Sequence, residues 1–211
     1  MSEMTLHISK PGLYTTIQDH GRVGYQHLGV PFGGPMDTKS AHGANWLVGN
    51  NLEAPLMEIT LIGPEIRFEG SGQVAITGAN LTPTLNREAI PLNETLQIAN
   101  GDVLTFGKCK YGCRSYLAIA GNLKVPKWLK STSAYDKNFT PKSIILKGCK
   151  IAISTSQAEF KTLSASQHMI FPDQVRVSVL KGPEFNLFSD TELSQLLDNG
   201  HRISNDANRM G

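Results

Sequence analysis

Between Thr16 and Asp37 the chain reads Thr-Ile-Gln-Asp-His-Gly-Arg-Val-Gly-Tyr-Gln-His-Leu-Gly-Val-Pro-Phe-Gly-Gly-Pro-Met-Asp. Five glycines, two prolines, two carboxylates, one arginine and two histidines stand here without a helical or a strand period. Glycine permits positive φ and close backbone approach, so the run predicts a shaped loop that carries polar side chains. Such loops are where sites sit. Asp19 could take up a proton, Arg22 could stabilise an oxyanion, and the Gly33-Gly34 backbone could donate hydrogen bonds to it. Gln18 offers an amide for substrate binding. Pro35 or Met36 is expected near the first position of a helix, with Asp37 in its first turn. The free N–H groups there could hold an anion or be satisfied by Asp37 itself.

Three further residues belong with the loop. Asn45 lies beside the apolar stripe of the helix expected over 36–48, where it would either tie the loop down or meet a ligand. Glu58 falls on a strand face otherwise largely apolar. Desolvation there would raise its pKa unless a cation such as Arg22 or Arg114 lay near, which makes it a second candidate base. The plainer alternative is a carboxylate at a sheet edge facing water. Arg114 completes the substrate-binding set of Gln18, Gly33, Gly34, Asp37, Asn45 and Arg114, beside the catalytic candidates Asp19, Arg22 and Glu58.

The elements that must position these groups are mostly strands. Apolar residues alternate around Thr5 to Ile8 and from Leu56 onward. Strands are expected at 74–77, 84–85, 94–98, 103–106, 114–120 and 151–153, punctuated by Gly78-Ala79-Asn80, Asn86-Arg87-Glu88 and Asn100-Gly101-Asp102. One early helix among many short strands predicts a mainly β barrel. Gly70-Ser71-Gly72-Gln73-Val74-Ala75 looks like a dinucleotide fingerprint but enters a strand, where the mechanism needs a helix start. Residues 155–173 shift toward Ser, Thr and Gln and read as a linker. Val175, Val177 and Val179 alternate as the first strand of a second unit. Ser189 with Glu192 forms a capping box for a helix that ends at Asn199-Gly200. The expected organisation is a β domain over 1–154, a linker over 155–173 and the start of a second unit over 174–211.

At 211 residues the chain can bury a core without staples. Its net charge of +2 comes from scattered Lys and Arg, which argues against nucleic acid as the main partner. No apolar run has membrane-spanning length and Met1-Ser2-Glu3-Met4 opens no signal peptide, so a cytoplasmic protein is expected. Three cysteines without Cys-x-x-Cys spacing and six unclustered histidines suggest neither a disulfide framework nor a metal site.

Taken together, the segments Thr16-Ile17-Gln18-Asp19-His20-Gly21-Arg22, Gly29-Val30-Pro31-Phe32-Gly33-Gly34-Pro35-Met36-Asp37 and Leu56-Met57-Glu58-Ile59-Thr60-Leu61-Ile62-Gly63-Pro64 resemble one family. It is variously called allophanate hydrolase subunit 2, KipA and the PxpC subunit of 5-oxoprolinase. Thr77-Gly78-Ala79-Asn80-Leu81-Thr82-Pro83, Gly112-Cys113-Arg114-Ser115-Tyr116-Leu117-Ala118, Gly182-Pro183 and Asn208-Arg209-Met210-Gly211 continue the match in order along the whole chain. The resemblance implies a cyclophilin-like β-barrel related to a carboxyltransferase region of biotin-dependent urea carboxylase. It implies a KipI-like (PxpB) partner and a LamB/YcsF-like (PxpA) partner, together forming an ATP-dependent 5-oxoprolinase that opens 5-oxoproline to glutamate.

Within that family Arg22 would stabilise charge, Asp19 or Glu58 would serve as base and Gly33-Gly34 would supply donors. The same groups would equally suit carboxyl transfer from carboxybiotin to a urea-like substrate. A KipA-like regulator that binds a KipI-like partner without chemistry of its own is the reading from another class. Two departures stand out: the family's Ser-Arg-Ser-Thr-Tyr is here Ser131-Thr132-Ser133-Ala134-Tyr135, and its Gly-Asp is Gly148-Cys149. Family members also continue past Arg209-Met210-Gly211. The second unit is therefore expected to be truncated, with exposed strand edges that favour self-association into a homo-oligomer.

Overall fold

Residues 3–164, 172, 174 and 176–200 are described by the structure, a computed structural model. The chain divides into two compact units, Met1–Phe171 and Pro172–Gly211.

The first unit is built in three layers. A seven-stranded sheet runs β11-β12-β1-β4-β9-β6-β7, where β1 is Glu3–Lys10, β4 Glu65–Glu69, β6 Pro83–Leu85, β7 Glu88–Ala89, β9 Val103–Phe106, β11 Gly121–Leu123 and β12 Lys150–Thr155. A five-stranded sheet runs β2-β3-β10-β5-β8, with β2 Tyr14–Gln18, β3 Leu56–Thr60, β5 Gly72–Asn80, β8 Thr95–Ile98 and β10 Tyr111–Ile119. Every strand pairing among the described residues is antiparallel.

Alternation decides which residues meet between the sheets. Met4, Leu6 and Ile8 of β1 and Ile66 and Phe68 of β4 share one buried cluster with Ile17, Met57, Ile59, Val74, Ile76, Leu117 and Ile119 of the smaller sheet. The opposite face of the smaller sheet is covered by helix α1 (Thr38–Leu47), whose Ala41, Ala44 and Leu47 pack with Leu56, Ala75, Tyr116 and Ala118. Because both faces are covered, β3 is buried from Leu56 through Ile59. Glu58 lies on the α1 side, directly opposite Tyr116 in register. This placement takes a carboxylate into the protein, not to a sheet edge.

The mainly β class is as expected, but the strands form two separate sheets, not one closed barrel. Each sheet deals with its edge locally. The free side of β2 is covered by the segment that follows β11: Ala134 N–H donates to Ile17 O at 2.9 Å and Ile145 N–H to Thr15 O at 2.9 Å. The free side of β8 is covered by residues 156–163, part of the stretch expected as a linker. There Thr95 N–H donates to Lys161 O at 2.8 Å, and the Gln73 amide both accepts from Ala158 N–H at 2.7 Å and donates to Ala158 O at 2.9 Å. Covered edges offer no template for further pairing.

Most expected strands are present. The sequence pattern does not reveal β4, nor β2, whose residues merge with the glycine-rich loop that follows them. Helix α1 starts two residues later than expected, at Thr38 with Asp37 as its N-cap. Met36 N–H and Asp37 N–H are drawn out of helical geometry by Glu58 and the Tyr116 hydroxyl, at 2.8 Å each.

In the second unit, α2 (Asp190–Asp198) carries the expected capping box: the Ser189 side chain accepts from Glu192 N–H, and Glu192 Oε2 accepts from Ser189 N–H at 2.8 Å. The strand expected at Val175, Val177 and Val179 is a correction. Val177 and Val179 are exposed and outside any strand, and Val175 lies outside the described residues. Alternation makes a strand only where a neighbour completes its hydrogen bonds, and among the described residues of this unit there is none.

Candidate functional site

The end of β2, the glycine-rich loop, the first turns of α1 and the 52–56 segment enclose a cleft of about 310 Å³. Gln18, Asp19, Gly33, Gly34 and Asn45 line it, joined by Thr38, His42 and Leu56. Of the nine candidates these five meet at one surface. Glu58, Asp37 and Arg114 do not line it, because the 35–37 segment stands between them and the cleft. The expected convergence of Asp19, Arg22, Asp37, Asn45 and Glu58 on one concave wall is corrected accordingly: two polar clusters share one loop.

The first cluster is centred on Asp19. One carboxylate oxygen accepts from Gly21 N–H at 3.0 Å, from the Ser133 hydroxyl at 2.8 Å and from the Ser131 hydroxyl; the other accepts from Thr132 N–H at 2.7 Å and the Thr132 hydroxyl at 3.0 Å. Burial pushes the carboxyl upward, but the bonds from Ser131, Thr132, Gly21 and Ser133 outweigh it and hold Asp19 below the ordinary carboxylate range. A carboxylate so saturated anchors the 131–133 segment to the loop and is unsuited to act as a base. Thr132, standing where the family carries arginine, supplies two of the five donors. In the sequence this hydroxyl run stands out only as a departure. Its signal was the spacing Ser131-Thr132-Ser133, three donors in a row awaiting one acceptor.

Arg22 is 1% exposed. Its Nη2 donates to Ser133 O, and its guanidinium lies over the Trp128 ring at 5.0 Å from the centroid and near Tyr135 at 6.0 Å. Trp128 stacks in turn on Tyr135 and Phe139, an aromatic group that no sequence pattern announced. Arg22 Nε and Nη1 are buried without hydrogen-bond partners. Burial lowers the guanidinium's pKa, partly offset by the nearby Asp19. Gly33, with φ of 76°, stands in front of this cation: a Cβ there would lie 3.2 Å from Nη1 and 3.3 Å from the Ser133 Cβ. Gly21, at φ 89°, permits Phe32 O to approach and accept from Arg22 N–H; a Cβ would meet that oxygen at 2.6 Å.

The second cluster pins the start of α1. Glu58 Oε2 accepts from Met36 N–H at 2.8 Å and from the Tyr116 hydroxyl at 3.0 Å, while Arg114 Nε stands 3.7 Å from Oε1, an ion pair too long for a hydrogen bond. Burial and then the Glu58 charge push the Tyr116 hydroxyl far up, so it remains a donor to Glu58. Asp37 is spent on its own helix, accepting from Ser40 N–H at 3.0 Å and the Ser40 hydroxyl. Asn45 donates to Leu52 O at 3.0 Å and Ala54 O at 2.9 Å, which fixes the cleft's far wall.

That leaves Gln18. It is 1% exposed, its Nε2 donates to Thr16 Oγ1 at 2.9 Å, and its Oε1 is buried without a partner. The other ionisable groups on the cleft are His42, half-buried on α1, and His20 and Glu53 at the exposed rim. No lysine or arginine among the described residues lines it. Among the described residues no three His, Cys, Asp or Glu side chains gather as a metal site would require, and no helix is long and apolar enough to cross a membrane.

This chain is similar to known proteins over nearly its whole length. It is 32% identical to the PxpC subunit of 5-oxoprolinase from Escherichia coli over 209 residues, covering 98% of this chain and 67% of that protein. It is 46% identical to urea amidolyase of Lachancea kluyveri over 129 residues, 61% of this chain but 7% of the much longer relative. The solved urea amidolyase of K. lactis superimposes with a TM-score of 0.83 at 30% identity, over 97% of this chain and 13% of that one. Residues 28–211 match the family model described as carboxyltransferase domain, subdomain A and B, and the chain belongs to that family.

Proposed function

We propose that the chain is the substrate-holding subunit of an ATP-dependent 5-oxoprolinase, working with a KipI-like (PxpB) and a LamB/YcsF-like (PxpA) partner to open 5-oxoproline to glutamate. The observation that carries this reading is the cleft between β2 and α1, with its unspent polar groups, in a chain 32% identical to a PxpC subunit of 5-oxoprolinase across its length. Lactam opening develops negative charge on the amide oxygen. A fixed, water-excluded cation stabilises that charge more than a mobile surface lysine would, and Arg22 is the buried cation here. His42 replaces Asp19 and Glu58 as the side chain suited by type and place to move a proton at the cleft wall.

ATP does not fit this cleft. A triphosphate needs several cationic or backbone donors, and only Arg22 stands near, behind Gly33. ATP is therefore assigned to the partner subunits, and no step in this chain is routed through it. The assembly so described would work in the cytoplasm.

Carboxyl transfer to a urea-like substrate is the second reading, favoured by the 46% identity to a urea amidolyase. There biotin would supply the carboxyl group, and its ureido ring presents the same N–H and C=O edge that Gln18 and Arg22 would meet. Reconstitution with both partner types and 5-oxoproline separates these readings. ATP-dependent glutamate formation supports the first. A stable complex without glutamate rejects it and leaves carboxyl transfer or a KipA-like regulatory role.

A further inference from the structure

Folded proteins satisfy almost all of their buried polar atoms. Among the described residues four buried side-chain atoms lack a hydrogen-bond partner: Gln18 Oε1, Nε and Nη1 of Arg22, and Arg114 Nε. Arg114 Nε has the Glu58 charge beside it. The other three sit at or behind one wall of the cleft, Gln18 on the wall and Arg22 directly behind Gly33. They are of opposite kinds, an acceptor on Gln18 and donors on Arg22.

Local structure explains why neither is satisfied internally. Gln18 is the last residue of β2, and its amide nitrogen is already committed to Thr16 on the same strand face, which turns the oxygen away from that neighbour. Arg22 spends Nη2 on Ser133 O and lays its plane against Trp128, so its remaining edge cannot swing to another acceptor. The hydroxyls of Ser131, Thr132 and Ser133, which might have served Arg22 as acceptors, all donate to Asp19. Gly33 presents no side chain toward Nη1.

We infer that Gln18 and Arg22 are the specificity edge of this cleft. Gln18 Oε1 accepts the N–H, and the Arg22 guanidinium faces the carbonyl oxygen, of a ligand's –NH–C(=O)– group. This rests on the reading of the cleft as the substrate site and names the part of the substrate it recognises. A lactam and a cyclic urea both carry that edge; a lactone or cyclic carbonate of the same shape carries the oxygen without the N–H. A site built around a buried acceptor rejects the analogue lacking the donor, because the acceptor is then left facing another lone pair.

The test is calorimetric titration of the 211-residue chain with 5-oxoproline, its lactone analogue 5-oxotetrahydrofuran-2-carboxylate, 2-imidazolidinone and ethylene carbonate. The lactam should bind about tenfold or more tightly than the lactone, as expected for one hydrogen bond lost with its acceptor buried. The cyclic urea should be preferred to the carbonate in the same sense. Gln18→Met, similar in length but without the acceptor, should cost the lactam about tenfold and leave the lactone unchanged. Equal binding of lactam and lactone, equal weakening of both by Gln18→Met, or no binding of any probe overturns the inference. Should Gln18→Met fail to fold, the lactam-to-lactone ratio of the unmodified chain decides alone. The two readings fail separately. N–H discrimination with no glutamate formed by the assembled enzyme removes the lactam substrate and keeps the specificity edge. Glutamate formation with a ratio of one removes the edge and keeps the substrate.

Discussion

Replacing Asp19 by asparagine tests whether this residue anchors the site or serves as its base. The two carboxylate oxygens receive five donors, of which Gly21 N–H and Thr132 N–H belong to the backbone and cannot rotate away. An asparagine amide retains one acceptor and turns the other into a donor. In either orientation one backbone N–H then faces an NH2 group, while the hydroxyls of Ser131, Thr132 and Ser133 lose the charge that strengthens their bonds. One buried unsatisfied N–H costs roughly 1–3 kcal/mol, and the weakened bonds bring the loss to about 3 kcal/mol. For a domain of this size that lowers Tm by roughly 6–12 °C.

The pH dependence has a definite sign. Because the folded-state pKa of Asp19 lies below its unfolded value, its stabilising effect is complete above the unfolded pKa of about 3.9 and is lost as the pH falls toward the folded one. The Tm gap between the two proteins should be steady from about pH 7 to 5 and should close below about pH 4. Circular dichroism melts across that range provide the measurement. A gap under about 2 °C at pH 7, or one that does not narrow in acid, would refute the anchoring role.

Three other substitutions probe the surrounding parts. Tyr116→Phe removes the donor to Glu58 and the acceptor for Asp37 N–H, and should destabilise by about 1–3 kcal/mol in chemical unfolding; an unchanged midpoint would show that α1 starts without this contact. Gly33→Ala puts a methyl group 3.2 Å from Arg22 Nη1 at a positive φ, costing about 1–2 kcal/mol and abolishing probe binding in the cleft; intact binding would show that Nη1 needs no open α-carbon in front of it. Gln73→Leu cuts both bonds to Ala158, so limited proteolysis should cleave within residues 156–164 faster than in the unmodified chain, and equal rates would show that the segment is held by other contacts.

Much of the fold was legible because covering a sheet on one face leaves a period of two, as in Met4, Leu6 and Ile8. The sequence was silent where both faces are buried. The strand β2 has four consecutive buried residues and so shows no alternation, and its β-branched Thr15, Thr16 and Ile17 ran directly into the glycines of the loop. The same blindness put Glu58 on a plausible water-facing edge, since the strand's own residues do not reveal that α1 covers its outer side. Asn45 resolved toward its structural alternative, and Asp37 toward capping its own helix.

The site was half legible. The loop's composition marked the right region and Gln18, Asp19, Gly33, Gly34 and Asn45 do meet there, but the roles depended on partners far along the chain. Ser131, Thr132 and Ser133 determine what Asp19 can do, and they lie more than a hundred residues away from it. Trp128 likewise decides how Arg22 is held. No local pattern announces such a pairing, whereas a saturated acceptor and an unsatisfied donor are evident once the chain is folded.

The most direct measurement is a structure of the chain assembled with PxpB-type and PxpA-type subunits and soaked with 5-oxoproline. The account places the lactam between β2 and α1, with its N–H within about 3.2 Å of Gln18 Oε1 and its carbonyl oxygen turned toward Gly33 and the Arg22 guanidinium. Density for 5-oxoproline in a partner subunit, with the cleft filled only by solvent, would contradict it.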